Sequence, residues 1–206
     1  MVRDESHLSG DDSHYHGEWD GKHRHGYGVG VYSDGSVYEG FWVDDKKDGK
    51  GRLTTAKGDQ YYGEFLEGKK HGRGKYSNMD GSEYEGEWEK NYRHGDGKVK
   101  FTNGSTYEGQ FEKDKKQGKG KFEDESGKIY EGDFMNNRIE GVGKMTYPDG
   151  KIKNGHWINN KLSGKGSLDL PDGTKFKGTF RDDKFHGWGK LKKNGTLLEG
   201  LFEAGK

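Results

Sequence analysis

The chain has 206 residues, of which 26% are hydrophobic and 35% charged, with 38 glycines and no cysteine. Lys plus Arg and Asp plus Glu balance at 36 each, which argues against a generic nucleic-acid binder, whose affinity rests on excess positive charge. The missing cysteines exclude disulfides and cysteine-based metal sites or nucleophiles; no stretch approaches the ~20 apolar residues of a membrane helix or reads as an export signal, so a cytoplasmic protein is expected.

So polar a composition ordinarily belongs to a disordered chain, but periodicity overturns that reading. Residues 1–14 form a polar lead-in, in which Asp11 and Asp12 fall at the turn positions of a preceding unit and are expected to finish half a hairpin. Residues 15–206 form a repeat array: one unit of 23 residues recurs eight times from Tyr15, and Leu198–Phe202 reads as the opening strand of a truncated ninth. With Tyr15 as position 1 of a unit, glycine fills positions 3, 12, 14 and 21 in all eight copies, allowing for one residue deleted between Gly189 and Gly195. At ~0.5–1 kcal/mol each relative to alanine, so many glycines would exceed a domain's net stability of ~5–15 kcal/mol unless they stand where a Cβ is worse.

Each unit opens on an alternation of ring, charge, small residue, charge and ring, as in Tyr84-Glu-Gly-Glu-Trp88, which is the period of a half-buried strand. Apolar residues at position 16 (Leu53, Tyr76, Val99, Phe122) give a second strand one greasy face. Asp34, Asp80, Asn103, Asp149, Asp172 and Asn194 precede the position-21 glycine, a pairing that favours a two-residue hairpin turn. A longer loop is expected at positions 9 and 10. The predicted fold is all-β: an elongated single-sheet antiparallel hairpin array of about sixteen strands of about five or six residues, ~75–80 Å long at ~4.8 Å per strand. Strands that short do not span a bilayer, which needs ~9–11 residues per strand, so an open sheet is expected rather than a membrane barrel.

Three surfaces follow from the repeat. Rings at positions 1 and 5 (Tyr38, Trp42, Tyr61, Phe65, Tyr84, Trp88, Tyr107, Phe111, Tyr130, Phe134) form a ladder expected to pack the core in part and to line a groove for a segment of another protein. Positions 9 and 10 align Lys46, Lys47, Lys69, Lys70, Arg93, Lys115 and Lys116 with His23 and Arg24 as a basic stripe along one edge, suited to an acidic partner or to acidic phospholipid. Toward the C-terminus position 10 turns apolar at Ile139, Leu162 and Phe185, either packed within each loop or forming an exposed patch that docks a partner or a second copy, in which case Phe185→Asp lowers association without unfolding the array.

No catalytic, cofactor-binding or metal-binding residues are expected. His25, His71, His94 and His186 recur at position 11, but copies two strands apart lie ~10 Å from one another, too far for ligand bonds of ~2 Å. Glutamate pairs such as Glu85 and Glu87 repeat along the sheet and give no distinct asymmetric cleft, and the repeated Gly-x-Gly has neither a following helix nor the Gly-Lys-Ser/Thr of a phosphate loop.

The unit Tyr-Glu-Gly-Glu-Trp-(x)5-His-Gly-x-Gly-(x)5-Asn-Gly resembles the MORN repeat, and the resemblance covers residues 15–202. It implies a non-enzymatic hairpin array that serves protein–protein scaffolding or membrane tethering. Its copy number without an appended domain is most similar to small ciliary and cytoskeletal members, so the resemblance implies a structural component of the axoneme (radial-spoke-like) or cytoskeleton, with axonemal or cytoskeletal protein partners. The alternatives are a membrane-surface adaptor using the basic stripe and a regulatory fragment of a longer enzyme. Copy seven departs from the pattern with Lys153-Asn-Gly-His-Trp157, which breaks the ladder.

Overall fold

Short ring-and-charge alternations separated by glycine-rich turns leave the backbone one way to satisfy its polar groups, and in the computed structural model they form antiparallel strands throughout. The structure describes residues 2–5 and 12–205. The chain divides into two compact units, the first running to Thr102 and adding Glu112–Asp114, the second taking Asn103–Phe111 and the residues from Lys115 on.

The first unit contains β1 (Val2–Glu5), β2 (Asp12–Asp20), β3 (His23–Tyr32), β4 (Val37–Val43), β5 (Lys46–Thr54), β6 (Gln60–Leu66), β7 (Lys69–Ser77), β8 (Glu83–Glu89) and β9 (Tyr92–Lys100). Each strand pairs antiparallel with the next. The second unit holds most of β10 (Thr106–Glu112), then β11 (Lys115–Glu123), β12 (Ile129–Met135), β13 (Arg138–Thr146), β14 (Ile152–Ile158), β15 (Lys161–Asp169), β16 (Lys175–Arg181), β17 (Lys184–Lys193) and β18 (Thr196–Phe202), again paired in chain order. The hairpin expected around Asp11 lies in part outside the described residues; β2 starts at Asp12 and pairs with β1, so the lead-in contributes to the sheet.

The strands are longer than the sequence suggested, seven residues for β4 and nine for β5, and the reason is a β-bulge. Gly40 pairs with Gly51 and Trp42 with Lys47, so three residues of β5 face one residue of β4 and the strand runs back to its turn. Positions 9 and 10 therefore lie in a strand and not in a loop. The turn before them is the two-residue one: Asp44 and Asp45 both take positive φ (46° and 66°), as do Asn136 and Asn137 (49° and 69°), the geometry of a type I′ hairpin turn.

The position-21 tips correct the other expectation. Gly35 N–H bonds to Tyr32 O at 2.9 Å and Tyr32 N–H to Ser36 O at 2.9 Å, closing the three-residue loop Ser33-Asp34-Gly35 with only the glycine at positive φ (87°). Copy eight, one residue shorter, is the exception. There Asn194 and Gly195 both turn to positive φ (50° and 78°), Lys193 pairs directly with Thr196, and the tip is a two-residue turn.

In each unit one face of the sheet carries the rings. Tyr38, Tyr61 and Tyr107 are fully buried and Trp42, Tyr130 and Trp157 are 1% exposed. Each tyrosine lies across a glycine pair. A Cβ on Gly40 would stand 2.5 Å from Gly51 Cα and 2.6 Å from Tyr38 Oη, which explains glycine at positions 3 and 14. At the bulge the tyrosine hydroxyl donates to the position-4 carbonyl: Tyr38 to Phe41 O at 3.0 Å, Tyr61 to Glu64 O at 2.9 Å, Tyr107 to Gln110 O at 2.9 Å. Tryptophans at position 5 donate one repeat back, Trp42 to Gly28 O, Trp88 to Gly74 O and Trp157 to Gly143 O. The rings meet edge to face at about 5 Å, Tyr38 with Trp42 at 5.1 Å and with Phe65 at 5.0 Å.

Candidate binding surface

Position 10 points onto the ringed face, and the first half of the array fills it with cations. Arg24 sits 4.2 Å from the centroid of Trp42, and Lys47 lies over Tyr32 and Tyr38 at 4.6 and 5.3 Å. Lys70 stands among Tyr61, Tyr76 and Trp88 at 5.4, 4.2 and 4.6 Å, and Lys116 lies over Tyr107 and Phe122. The aliphatic stems cover the rings while the charged ends take cation–π contacts. Burial lowers the Lys70 ammonium to about 8, and burial raises the phenols of Tyr15, Tyr38, Tyr61, Tyr84 and Tyr130, that of Tyr15 to about 12.

The residue 21 positions onward, at position 8 of the next copy, clamps each cation. Its backbone N–H bonds to the position-10 carbonyl, and where it is Asp or Asn its side-chain oxygen accepts the position-10 N–H. Arg24 N to Asp45 Oδ1 is 2.9 Å, Lys70 N to Asn91 Oδ1 2.8 Å and Ile139 N to Asn160 Oδ1 2.8 Å. The clamp residue differs with the side chain at position 10. Both arginines face aspartate, Arg93 Nε bonding Asp114 Oδ1 at 3.0 Å and its Nη2 the Asp114 carbonyl at 3.0 Å. Lys70 and Lys116 meet Asn91 and Asn137 through their backbone N–H groups. Asp45, Asn91 and Asp114 were not singled out in the sequence, although the recurrence of Arg24 with Asp45 and Arg93 with Asp114 at one separation was there to be read.

Copy seven exchanges the two roles. Leu162 at position 10 is fully buried with Cδ1 over the Gly155–Gly166 pair, where a Cβ on Gly155 would meet it at 3.2 Å, so it occupies the place of the missing tyrosine ring. Lys153 at position 1 sends its ammonium 2.7 Å from Asp183 Oδ1, supplying the cation that position 10 lacks. The broken ladder is thus a swap of ring and cation, and the face continues through it.

These placements revise the three predicted surfaces. Tyr38, Trp42, Tyr61, Phe65, Tyr84, Trp88, Tyr107, Phe111, Tyr130 and Phe134 are each at most 7% exposed, so they build the core and offer no open groove floor. The basic stripe splits by strand alternation: Lys46, Lys69 and Lys115 are exposed, while Lys47, Lys70, Arg93 and Lys116 turn onto the rings. Ile139, Leu162 and Phe185 follow the inward row, and Phe185 lies flat on Phe176 (3.8 Å, 11°). Aspartate at 185 would therefore set a carboxylate against that ring and is expected to destabilise its hairpin. Among the described residues no group of three or more His, Asp or Glu is placed to hold a metal ion.

No match is found among the curated proteins. Among solved structures, the SAS-4 (dCPAP) TCP domain of Drosophila melanogaster, in complex with a proline-rich motif of Ana2 (dSTIL), is 16% identical with a TM-score of 0.45, covering 84% of this chain and 87% of that one. The TCP10 domain of Danio rerio CPAP in complex with a STIL peptide is 14% identical with a TM-score of 0.42, covering 86% of this chain and 95% of that one. The family model described as MORN repeat matches residues 15–37, 38–60, 61–83, 84–106, 107–129, 130–152, 154–175 and 176–196, passing over Lys153. Those eight tandem matches cover most of the chain, which belongs to the MORN-repeat family.

Proposed function

We propose that this MORN-repeat chain is a non-enzymatic scaffold for protein–protein interaction, acting as a structural component of the ciliary or flagellar axoneme or of a related cytoskeletal assembly. The observation that carries the scaffold reading is the sameness of the copies. The backbone clamp of positions 8 and 10 recurs from Arg24–Asp45 to Leu162–Asp183, so one structural unit is repeated at a regular step, which suits an extended partner better than a single small substrate. The axonemal assignment rests on resemblance to ciliary members of the family. A tagged copy retained on the detergent-insoluble axoneme of ciliated cells supports it, and full release into the detergent-soluble membrane fraction overturns it. The membrane-adaptor reading keeps one observation, the exposed row Lys46, Lys69 and Lys115, and predicts liposome binding that weakens with salt.

A further inference from the structure

On the outward face, several copies set opposite charges across from one another, and one hairpin breaks that pattern. Where position 2 is acidic, the residues across from it are mostly basic: Glu39 opposite Arg52, Glu85 opposite both Lys75 and Lys98, Glu131 opposite both Lys121 and Lys144. Opposite charges in directly paired positions stabilise a sheet and like charges destabilise it. On β16 and β17 the pattern fails twice in succession, because Lys177 pairs with Lys190 and Lys175 with Lys192, and all four side chains are exposed. Lys175 reaches Asp169 at 3.7 Å and Lys190 reaches Glu199 at 2.8 Å, so carboxylates bound the excess charge on both sides. Beside it Trp188 pairs across β17 and β18 with Leu201, and these side chains are 69% and 72% exposed.

We infer that this patch docks an acidic segment of a partner protein in extended conformation, with an apolar side chain of that segment lying on Trp188 and Leu201. Outward positions along a strand recur every ~6.8 Å and strands lie ~4.8 Å apart, so four ammonium groups form a lattice that alternate carboxylates of an extended chain match. The flanking Asp169 and Glu199 confine the positive field to the width of one chain, which fits a peptide better than a plane of lipid headgroups. This inference deepens the scaffold reading and rests on it.

The test uses the full chain and a fluorescent peptide of glutamates with one central phenylalanine, a glutamine version of it, phosphatidylserine vesicles and poly-uridine. Saturable binding of the glutamate peptide, about tenfold or more weaker for the pair Lys177→Glu and Lys192→Glu and weakened by Trp188→Ala, is the expected result. The two glutamates restore the charge alternation, so the melting temperature is expected to hold or rise; should the pair misfold, Lys177→Gln with Lys192→Gln replaces it in the same assay. Equal binding by wild type and variants, binding of the glutamine peptide, or selective capture of vesicles or poly-uridine each overturns the inference. A chain that ignores the peptide yet stays on the axoneme loses this surface and keeps the scaffold function, whereas release from the axoneme with intact peptide binding removes the function and keeps the surface.

Discussion

The hairpin β6–β7 and the hairpin β14–β15 solve one packing problem with opposite residues. In the first, a tyrosine ring (Tyr61) covers the glycine pair and a lysine (Lys70) covers the ring. In the second, a leucine (Leu162) covers the glycine pair and the lysine (Lys153) comes from the neighbouring strand position to meet Asp183. What the fold requires is an apolar cover over two backbones that approach too closely for a Cβ; in these two hairpins a cation also stands near the turn of the next copy. Which position supplies which is free.

Removing the cover's neighbour gives the largest expected effect. Trp157→Ala takes out a ring 1% exposed that contacts Tyr130 and donates to Gly143 O at 2.8 Å, and should cost about 3–5 kcal/mol in urea denaturation. A loss under about 1 kcal/mol would show that these hairpins do not share a core.

The exchange itself is tested by Lys153→Tyr and Leu162→Lys. Each single change should destabilise, the first by driving a ring into the space of Leu162 and leaving Asp183 without its ammonium, the second by burying a charge, whereas the double change rebuilds the ordinary copy. A double-mutant cycle should return a favourable coupling of roughly 1–3 kcal/mol, and additive effects would refute the exchange.

A smaller contrast separates the two covers. Gly51→Ala meets the locked Tyr38 ring, including its Cε2 at 2.5 Å, and should lose about 1–3 kcal/mol, while Gly166→Ala meets movable leucine methyls at 3.3 Å and a carbonyl at 2.8 Å and should lose less. Melting temperatures of the two variants, measured side by side, decide the order.

A pH dependence is expected from Lys70 in the first of these two hairpins. Lys70 has its folded-state pKa lowered to about 8 from an ordinary 10.5, so between those values the unfolded chain binds more protons and this residue's contribution to stability rises with pH. The tyrosines act oppositely. Their raised folded values make stability fall once phenols ionise in the unfolded chain above about 10, so the rise is visible from about pH 8 to 10. Lys70→Met should abolish the rise, and an unchanged slope in the variant would place the titration elsewhere.

The repeat period, the strand pairs, the ringed face and the glycine pairs were legible in the sequence because alternation and a strict step of 23 residues translate directly into face and register. The turns were not. Asp-Gly at position 21 is a strong signal for a two-residue hairpin, but the strand register leaves three residues there, and the two-residue turn went to Asp44-Asp45 and its equivalents, whose residues tolerate positive φ. Only copy eight, shortened by one residue, obeys the local signal at Asn194-Gly195.

The sequence by itself determined an all-β array, its period and the alternation of ringed and charged faces, since a ring or a charge at a fixed phase carries its own preference for burial or water. The tertiary structure decided where position 10 points. The bulge after position 3 shifts the second strand's pairing, and that shift, invisible to a one-strand pattern, turned half of an apparent surface stripe onto the aromatic core. It also brought Lys177 opposite Lys190 and Lys175 opposite Lys192, because cross-strand neighbours are fixed by register and not by sequence distance.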